Sequence, residues 1–113
     1  MKETIQQLEA ERMRWAAETF KEATALSSLI KLNGEISEVK EAIELNKPIG
    51  EITEEYADCL MCLFDSAGRI AISPDDIFEA FAKKLKKNKA RSWNRNADNT
   101  YSHIKHGGII NNG

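Results

Sequence analysis

The apolar residues between positions 29 and 43 recur at alternating intervals of three and four, and this spacing limits what the segment can form. These residues are Leu29, Leu32, Ile36, Val39 and Ile43. On an α-helix they make one narrow stripe, as in a coiled coil, whereas a strand would scatter them over both of its faces. The pattern predicts a helix over residues 27–46 that packs one face against a neighbouring helix.

Similar stripes predict three further helices, over residues 3–20, 51–71 and 73–93. Ser73 is a suitable N-cap for the last of them, and Pro74 followed by two acids suits its first turn. The segment 46–50 contains Pro48 and a glycine, which predicts a turn between the second and third helices. The expected fold class is therefore all-α, with four helices in a bundle.

A length of 113 residues indicates a single domain with a small core. We expect this core to gain buried surface by assembly of the chain into a dimer or tetramer. Residues 1–93 form the predicted helical domain. Residues 94–113 are rich in Asn and Gly and show no clear period, so they predict a polar C-terminal tail.

Charge and hydropathy argue against two classes of partner. The formal net charge of −2 gives no indication of nucleic-acid binding. No apolar run approaches the ~18 residues needed to cross a bilayer, and the N-terminal segment is polar. We therefore expect a cytoplasmic protein that binds neither nucleic acid nor membrane, and its two cysteines are expected to be free thiols.

Two pairs of acids lie on matching edges of the second and third helices: Glu35 with Glu38, and Glu55 with Asp58. Each pair occupies heptad positions g and c, beside the apolar stripe. The short turn makes the helices antiparallel, so both edges lie on one side of the groove between them. Any one of these acids alone is typical of solvated helix surface. Together they would repel one another without a cation, and oxygen-only ligands suit Mg²⁺ or Mn²⁺ rather than zinc.

Lys84, Asn88 and Arg91 recur at intervals of four and three residues, which predicts one shared face of the fourth helix. Such a face suits phosphate oxygens, and Arg is shaped for bidentate contact with them. The alternative is a cationic helix end that complements the helix dipole. Lys31 lies one heptad before Glu38 and is a candidate phosphate contact or a charge partner for the acids.

Two weaker patterns are also present. Cys59 and Cys62 form a C-x-x-C, and His103 and His106 form an H-x-x-H, so the four have the residue types of a zinc site. The mid-helix position of the cysteines favours a small apolar packing role instead. Trp15 is a candidate for stacking on a nucleotide base, although such an aromatic residue is also typical of a core or an interface.

Several segments together match one known family. They are Leu32-Asn33-Gly34-Glu35-Ile36-Ser37-Glu38, Glu54-Glu55-Tyr56-Ala57-Asp58, Leu26-Ser27-Ser28-Leu29 and Asn88-Lys89-Ala90-Arg91-Ser92-Trp93, with Trp15, Phe20 and Lys84. Over roughly residues 12–93 the sequence resembles the MazG-like all-α nucleoside triphosphate pyrophosphohydrolases, and it looks closest to short phage-type dATP/dGTP pyrophosphohydrolases. Gly34 departs from the pattern, because many relatives have an acid there.

The resemblance implies a Mg²⁺-dependent hydrolase that converts a deoxynucleoside triphosphate, dGTP or dATP, to the monophosphate and pyrophosphate. The expected metal ligands are Glu35, Glu38, Glu55 and Asp58, and the expected substrate-binding residues are Trp15, Lys31, Lys84, Asn88 and Arg91. Glu38 is favoured as the catalytic base that takes a proton from the attacking water. The resemblance also implies homo-oligomers in which a neighbouring subunit completes each site.

Two alternatives remain open at the level of sequence. The first is the same fold with pyrimidine substrates, dUTP or dCTP. The second is a non-catalytic helical oligomer that acts as an interaction protein, for which Gly34 is the only support. If the chain is encoded by a phage, the expected location is the host cytoplasm.

Overall fold

The computed structural model describes residues 2–105 and, in the last strand, the backbone of residues 110 and 111. The elements in chain order are α1 (Ile5–Thr19), α2 (Ala25–Glu44), α3 (Ile49–Gly68), α4 (Pro74–Lys89), β1 (Trp93–Arg95), β2 (Tyr101–Ile104) and β3 (Ile110–Asn111). The four predicted helices are all present, so the mostly helical fold is confirmed. No helix in this part of the chain combines the length and apolarity that crossing a membrane requires.

Helix starts are fixed by capping boxes, which explains why α2 begins earlier than its apolar stripe. Thr24 accepts a hydrogen bond from the backbone N–H of Ser27, and the Ser27 hydroxyl accepts one from the N–H of Thr24. Ser27 is thus the third residue of the helix and not its first. Ser73 and Asp76 form the same reciprocal pair at the start of α4, as predicted for that segment.

A tight turn joins α2 to α3 and makes them an antiparallel hairpin. Asn46 has a φ of 52°, a left-handed conformation that asparagine tolerates better than most residues. The N–H of Lys47 donates to the carbonyl of Ala42 at 3.0 Å, which satisfies a carbonyl at the end of α2. Val39 and Ala42 are buried along this hairpin. The turn therefore sets the register between the acid-bearing edges of the two helices.

The buried apolar set is small. It comprises Ala16 of α1, Val39 and Ala42 of α2 and Phe64 of α3, and among the described residues no large side chain is fully buried. Large apolar side chains such as Leu8, Trp15 and Leu60 keep between 43% and 56% of their surface exposed. Burial of apolar surface is the main favourable term in folding, so the exposed apolar surface of the described chain does not contribute to its stability.

The chain divides into two compact units, residues 1–77 and 78–113, and α4 begins in the first and continues in the second. The second unit differs from the expected tail, because it contains an antiparallel sheet in the order β1-β2-β3. Asn99 has a φ of 69° in the turn between β1 and β2, and the N–H of Asn96 donates to the carbonyl of Thr100 at 2.7 Å. Strands of two to four residues are too short to show a period in sequence. The domain boundary at residue 93 stays a prediction.

Candidate active site

Three carboxylates meet at the edge of the α2–α3 hairpin. Oxygen atoms of Glu35, Glu55 and Asp58 all lie within 4.8 Å of one another. Glu35 and Glu55 are half-buried and Asp58 is exposed. Within the described part of the chain these residues form the one group of three or more side chains that could share a metal ion. The arrangement follows from the hairpin, since the turn brings the predicted g and c positions to one edge.

The electrostatics of the group are those of like charges held together. Burial raises the pKa of Glu55 above its ordinary value, and the negative charges of Glu38, Asp58 and Glu35 raise it further. Glu38 is exposed and lies outside the group of three, although it is near enough for its charge to act on Glu55. The structure therefore brings three of the four predicted ligands together and leaves the fourth beside them.

Lys31 is the cation next to this group. Its Nζ lies 3.1 Å from Oε1 of Glu35, one helical turn further along α2. The hydrogen bond to Glu35 and the charge of Glu35 raise the pKa of Lys31. The Lys31 side chain is 71% exposed, so the ion pair contributes little to stability and the ammonium group is free to move to another anion.

A cavity of about 330 Å³ opens between α1, α2 and α3. Its lining residues are Arg12, Trp15, Ala16, Phe20, Ala23, Ser27, Ser28, Lys31, Met61, Cys62 and Asp65. The rings of Trp15 and Phe20 meet edge to face with centroids 5.2 Å apart. Lys31 both lines the cavity and pairs with Glu35, so this side chain links the cavity wall to the carboxylates.

The polar side of the cavity is organised by Asp65 of α3. Its carboxylate accepts hydrogen bonds from Nη1 of Arg12 at 2.9 Å, from the hydroxyl of Ser28, and from Nε of Arg69 at 3.3 Å. Arg12 also donates to Glu9, and Arg69 donates to the carbonyl of Ala16 at 3.2 Å. One carboxylate thus ties three helices together.

Burial of Asp65 alone would raise its pKa, but the hydrogen bonds from Ser28, Arg12 and Arg69 outweigh burial and hold the pKa below its usual value. In the sequence, Asp65 lies one heptad after Asp58, a position that suits either an assisting role at the metal site or simple exposure. The signal that could have identified it is the pair Asp65-Ser66, two adjacent polar residues next to apolar Phe64 in α3.

The three predicted phosphate contacts Lys84, Asn88 and Arg91 lie in the second unit, and only the first two are part of a helix. Lys84 is exposed on α4, and Asn88 is half-buried near its end. Arg91 lies beyond the end of the helix at Lys89, which corrects the prediction of one helical face for all three residues. The last turn tightens there: the N–H of Arg91 donates to the carbonyl of Asn88 at 3.2 Å. Nη1 of Arg91 also donates to Oδ1 of Asn88 at 3.1 Å, so these two side chains act as a pair.

The residues of the zinc alternative are spread over both units. Cys59 and Cys62 are half-buried on α3 and are free thiols, whereas His103 lies in β2. Burial raises the pKa of both thiols, and the charge of Glu35 raises each of them further. His106 lies outside the described residues. Thiols with raised pKa values are poor zinc ligands, which favours the packing role for the cysteines.

Similarity to known proteins identifies the family of the chain. Residues 8–109 match the model of the dATP/dGTP pyrophosphohydrolase family. A dATP/dGTP diphosphohydrolase of Salmonella phage PMBT28 is 34% identical over 94 residues, which are 83% of this chain and 29% of that protein. The chain thus spans less than a third of the length of this curated relative.

A solved structure shares the fold. It is the cyanophage S-2L MazG-like pyrophosphohydrolase bound to dGDP and three catalytic Mn²⁺ ions per active site. That protein is 29% identical, has a TM-score of 0.69, and is matched over 92% of this chain and 100% of its own. The match over residues 8–109 covers most of the sequence, and the chain therefore belongs to the dATP/dGTP pyrophosphohydrolase family.

Proposed function

We propose that the chain hydrolyses a purine deoxynucleoside triphosphate, dGTP or dATP, to the monophosphate and pyrophosphate in a reaction that depends on Mg²⁺. The observation that carries this proposal is the meeting of Glu35, Glu55 and Asp58 beside an aromatic cavity of about 330 Å³. Carboxylates suit the metal that accompanies a triphosphate, and the cavity is at the lower end of the ~300–1,000 Å³ typical of small-molecule sites.

The three carboxylates fit a divalent cation by their chemistry. Their donors are all oxygen, and the raised pKa of Glu55 reflects burial and repulsion that a bound cation would relieve. The structural relative binds Mn²⁺, and Mg²⁺ with Mn²⁺ as a substitute is our proposal for this chain. When bound, such an ion neutralises phosphate charge and makes a water molecule easier to deprotonate.

Residues of the chain account for the remaining steps. Glu38 lies outside the group of three, so its exposed carboxylate is available to accept the proton of the water that attacks the α phosphorus. Lys31 can leave Glu35 for a phosphate oxygen. We propose Lys84, Asn88 and Arg91 as further phosphate contacts that stabilise charge as the bond between the α and β phosphates breaks.

The cavity is proposed as the base site. Trp15 is 56% exposed and lines the cavity beside Phe20, so its ring is available to a planar ligand. A purine offers more stacking area than a pyrimidine, which favours dGTP and dATP over dUTP and dCTP. Stacking alone discriminates weakly, so we propose a preference and not exclusive use of purines.

We further propose that the chain assembles as a dimer or tetramer. A groove of about 400 Å³ along α1 and α3 has Ile5, Leu8, Leu60 and Met61 in its wall. Leu8 and Leu60 are 46% and 43% exposed there, which is typical of a surface that another subunit covers.

The substrates are free nucleotides, and the phage origin of both relatives supports action in the host cytoplasm.

The proposal is tested with a panel of nucleotides in the presence of Mg²⁺ or Mn²⁺ and separation of the products by chromatography. We expect kcat/KM to be highest for dGTP and dATP, with pyrophosphate and the monophosphate as products. Glu35→Gln should lose activity because it removes a proposed metal ligand. Its matched control is Glu44→Gln, at an exposed acid on α2, which should retain full activity. Release of orthophosphate would contradict the cleavage position. Higher kcat/KM for dUTP or dCTP would contradict the purine preference alone, and no turnover of any nucleotide would favour the non-catalytic alternative.

A further inference from the structure

The second unit is strongly basic, although the chain as a whole is slightly acidic. Residues 78–113 contain eight Lys and Arg residues and two acids, Glu79 and Asp98, which gives a formal charge of +6. The first unit, with eight basic and 16 acidic residues, has a formal charge of −8. A charge of this size in 36 residues is a local property of the second unit that the net charge of −2 conceals.

Four of these cations lie close enough to one histidine for their charges to lower its pKa. Lys84 and Lys87 of α4, Arg91 after the helix and Lys105 after β2 all act electrostatically on His103. Neither acid of this unit pairs with any of the four in the described part of the chain. Glu79 lies 3.3 Å from Lys83, and Asp98 accepts hydrogen bonds from Thr100. Among the described residues of this unit, no acidic side chain therefore pairs with the cations near His103.

His103 is buried and packs against an aromatic ring. It is only 5% exposed, and its ring meets Trp93 of the neighbouring strand edge to face with centroids 5.8 Å apart. The indole Nε1 of Trp93 donates to the carbonyl of Asn88 at 3.0 Å, which fixes Trp93 at the end of α4. Packing thus places the imidazole beside the last turn of that helix, where Arg91 and Asn88 pair.

One nitrogen of this imidazole is unsatisfied. Nδ1 of His103 is buried and has no hydrogen-bond partner among the described residues. A buried polar atom without a hydrogen-bond partner is unfavourable in the folded state. Burial lowers the pKa of His103, and the charges of Arg91, Lys105, Lys84 and Lys87 lower it further, so the ring is neutral at pH 7. An anion bound among the four cations would balance their charge, which would raise the pKa of His103.

We propose that the second unit contains a binding site for a condensed phosphate such as pyrophosphate, formed by Lys84, Lys87, Arg91 and Lys105 around His103. Lys84 and Arg91 were expected from sequence to contact phosphate, whereas His103, Lys87 and Lys105 were not. The C-terminal sheet thereby becomes part of the phosphate site, through the strand that carries His103. Pyrophosphate has the charge density to balance several cations at once, which a single phosphate ester lacks.

The choice of pyrophosphate rests on the proposed function, which releases it, but binding can be measured without turnover. Pyrophosphate is added to the full-length protein in EDTA while the imidazole resonances are followed by NMR. His106→Gln identifies which of the two histidines gives each signal. We expect pyrophosphate to shift the His103 signal and raise its pKa. Relative to His103→Gln, the natural chain should consequently bind pyrophosphate more tightly as the pH falls through the pKa of His103 in the complex, by up to about tenfold per pH unit.

Matched variants distinguish a site from general attraction. Lys87→Ala and Lys105→Ala should each weaken pyrophosphate binding roughly 3- to 10-fold, and Lys105→Arg should retain it. Lys83→Ala is the control, because Lys83 pairs with Glu79 and should change binding less than about twofold. His103→Gln should remove the part of the pH dependence that comes from His103; if this variant does not fold, the NMR titration of the unmodified protein decides.

Three outcomes would overturn the proposal: no saturable binding of pyrophosphate, binding that leaves the His103 signal unchanged, or equal losses in all three lysine-to-alanine variants. A short single-stranded oligonucleotide that binds more tightly than pyrophosphate would overturn it in favour of a nucleic-acid surface. Loss of the proposed nucleotide hydrolysis with pyrophosphate binding intact would instead count against the proposed function alone.

Discussion

Asp65 of α3 accepts a hydrogen bond from Arg12 of α1, with 2.9 Å between Oδ1 and Nη1. Both side chains are nearly buried, at 13% and 12% exposure. The same carboxylate accepts from Ser28 of α2, so this one contact belongs to a network that joins the three helices around the proposed base site. Apolar burial is sparse in this unit, and the position of α1 consequently depends on a charged contact.

Replacement of Asp65 by asparagine should destabilise the fold. The amide keeps the shape of the side chain, but it removes the carboxylate that Arg69 contacts and leaves Arg12 with Glu9 alone, in a nearly buried place. We expect the free energy of unfolding in urea to fall by about 2–4 kcal/mol, slightly less than the ~3–5 kcal/mol typical of fully buried pairs. Glu44→Gln is the exposed control. A change below about 0.5 kcal/mol would show that the network does not hold the helices.

The same variant predicts a pH dependence. The folded-state pKa of Asp65 is lowered, so its carboxylate stabilises the fold above its unfolded pKa of about 3.9, and this contribution is lost as the pH falls through the folded-state pKa. The stability difference between the natural chain and Asp65→Asn should therefore be complete near pH 7 and shrink below about pH 4. Urea unfolding of both proteins across this range measures it. A stability difference that keeps its pH 7 value down to about pH 3 would contradict the assignment.

The carboxylate group predicts opposite effects on activity and stability. Asp58→Asn and Glu38→Gln should each reduce pyrophosphate release by roughly 100-fold or more. Loss of a group that only supports a metal ligand already costs about 10- to 100-fold, and a proposed metal ligand or proton acceptor should matter at least as much. Without metal, both variants should melt at the same temperature as the natural chain or higher, since one repelling charge is gone. Calorimetry and a pyrophosphate assay test this together, and near-normal turnover in both variants would remove the metal site from the mechanism.

Assembly is predicted from the groove along α1 and α3. Light scattering at micromolar concentration should give the mass of a dimer or tetramer and not that of a 12.7 kDa chain. Leu8→Glu and Leu60→Glu should shift the protein toward monomer, because each places a charge in the apolar wall of the groove. Lys40→Glu on the exposed surface of α2 is the control. A compact monomer of the natural chain would refute the shared assembly.

Trp15 gives the prediction on substrate preference. Trp15→Ala should raise KM for dGTP about tenfold with a smaller effect on kcat, since base stacking is worth ~1–3 kcal/mol. Trp15→Phe should restore most of the affinity because it retains an aromatic face. Steady-state kinetics with dGTP and dCTP distinguish the outcomes: an equal rise in KM for both bases would mean that Trp15 supports the fold instead of choosing the base.

The features predictable from sequence were those that repeat. Helical stripes predicted four helices, and the motif residues identified the family, which the family match confirms. The heptad positions also predict that acids of α2 and α3 meet, but they do not separate Glu38 from the group of three. That difference depends on side-chain direction and on the exact register at Asn46. The roles of these residues stay predictions.

Features formed by contacts between distant positions could not be predicted. The Asp65 network joins residues 12, 28, 65 and 69, whose proximity follows only from packing of three helices. The C-terminal sheet is built from pairings such as Trp93 with His103, in strands too short for a pattern. Arg91 does not lie on the expected helical face, because the last turn of α4 tightens and the helix ends before it. The spacing of residues in the sequence does not predict this tightening.

The small buried set of Ala16, Val39, Ala42 and Phe64 also determines how the stability of this protein has to be expressed. Ordering the backbone costs about 1–2 kcal/mol per residue, and burial of these four side chains offsets little of that. In the proposed oligomer, contacts between subunits add to this stabilisation, so folding and association are one equilibrium governed by mass action. Tenfold dilution of a dimer then lowers its free energy of unfolding by about 1.4 kcal/mol. A melting temperature for the proposed oligomer has meaning only together with the concentration at which it was measured.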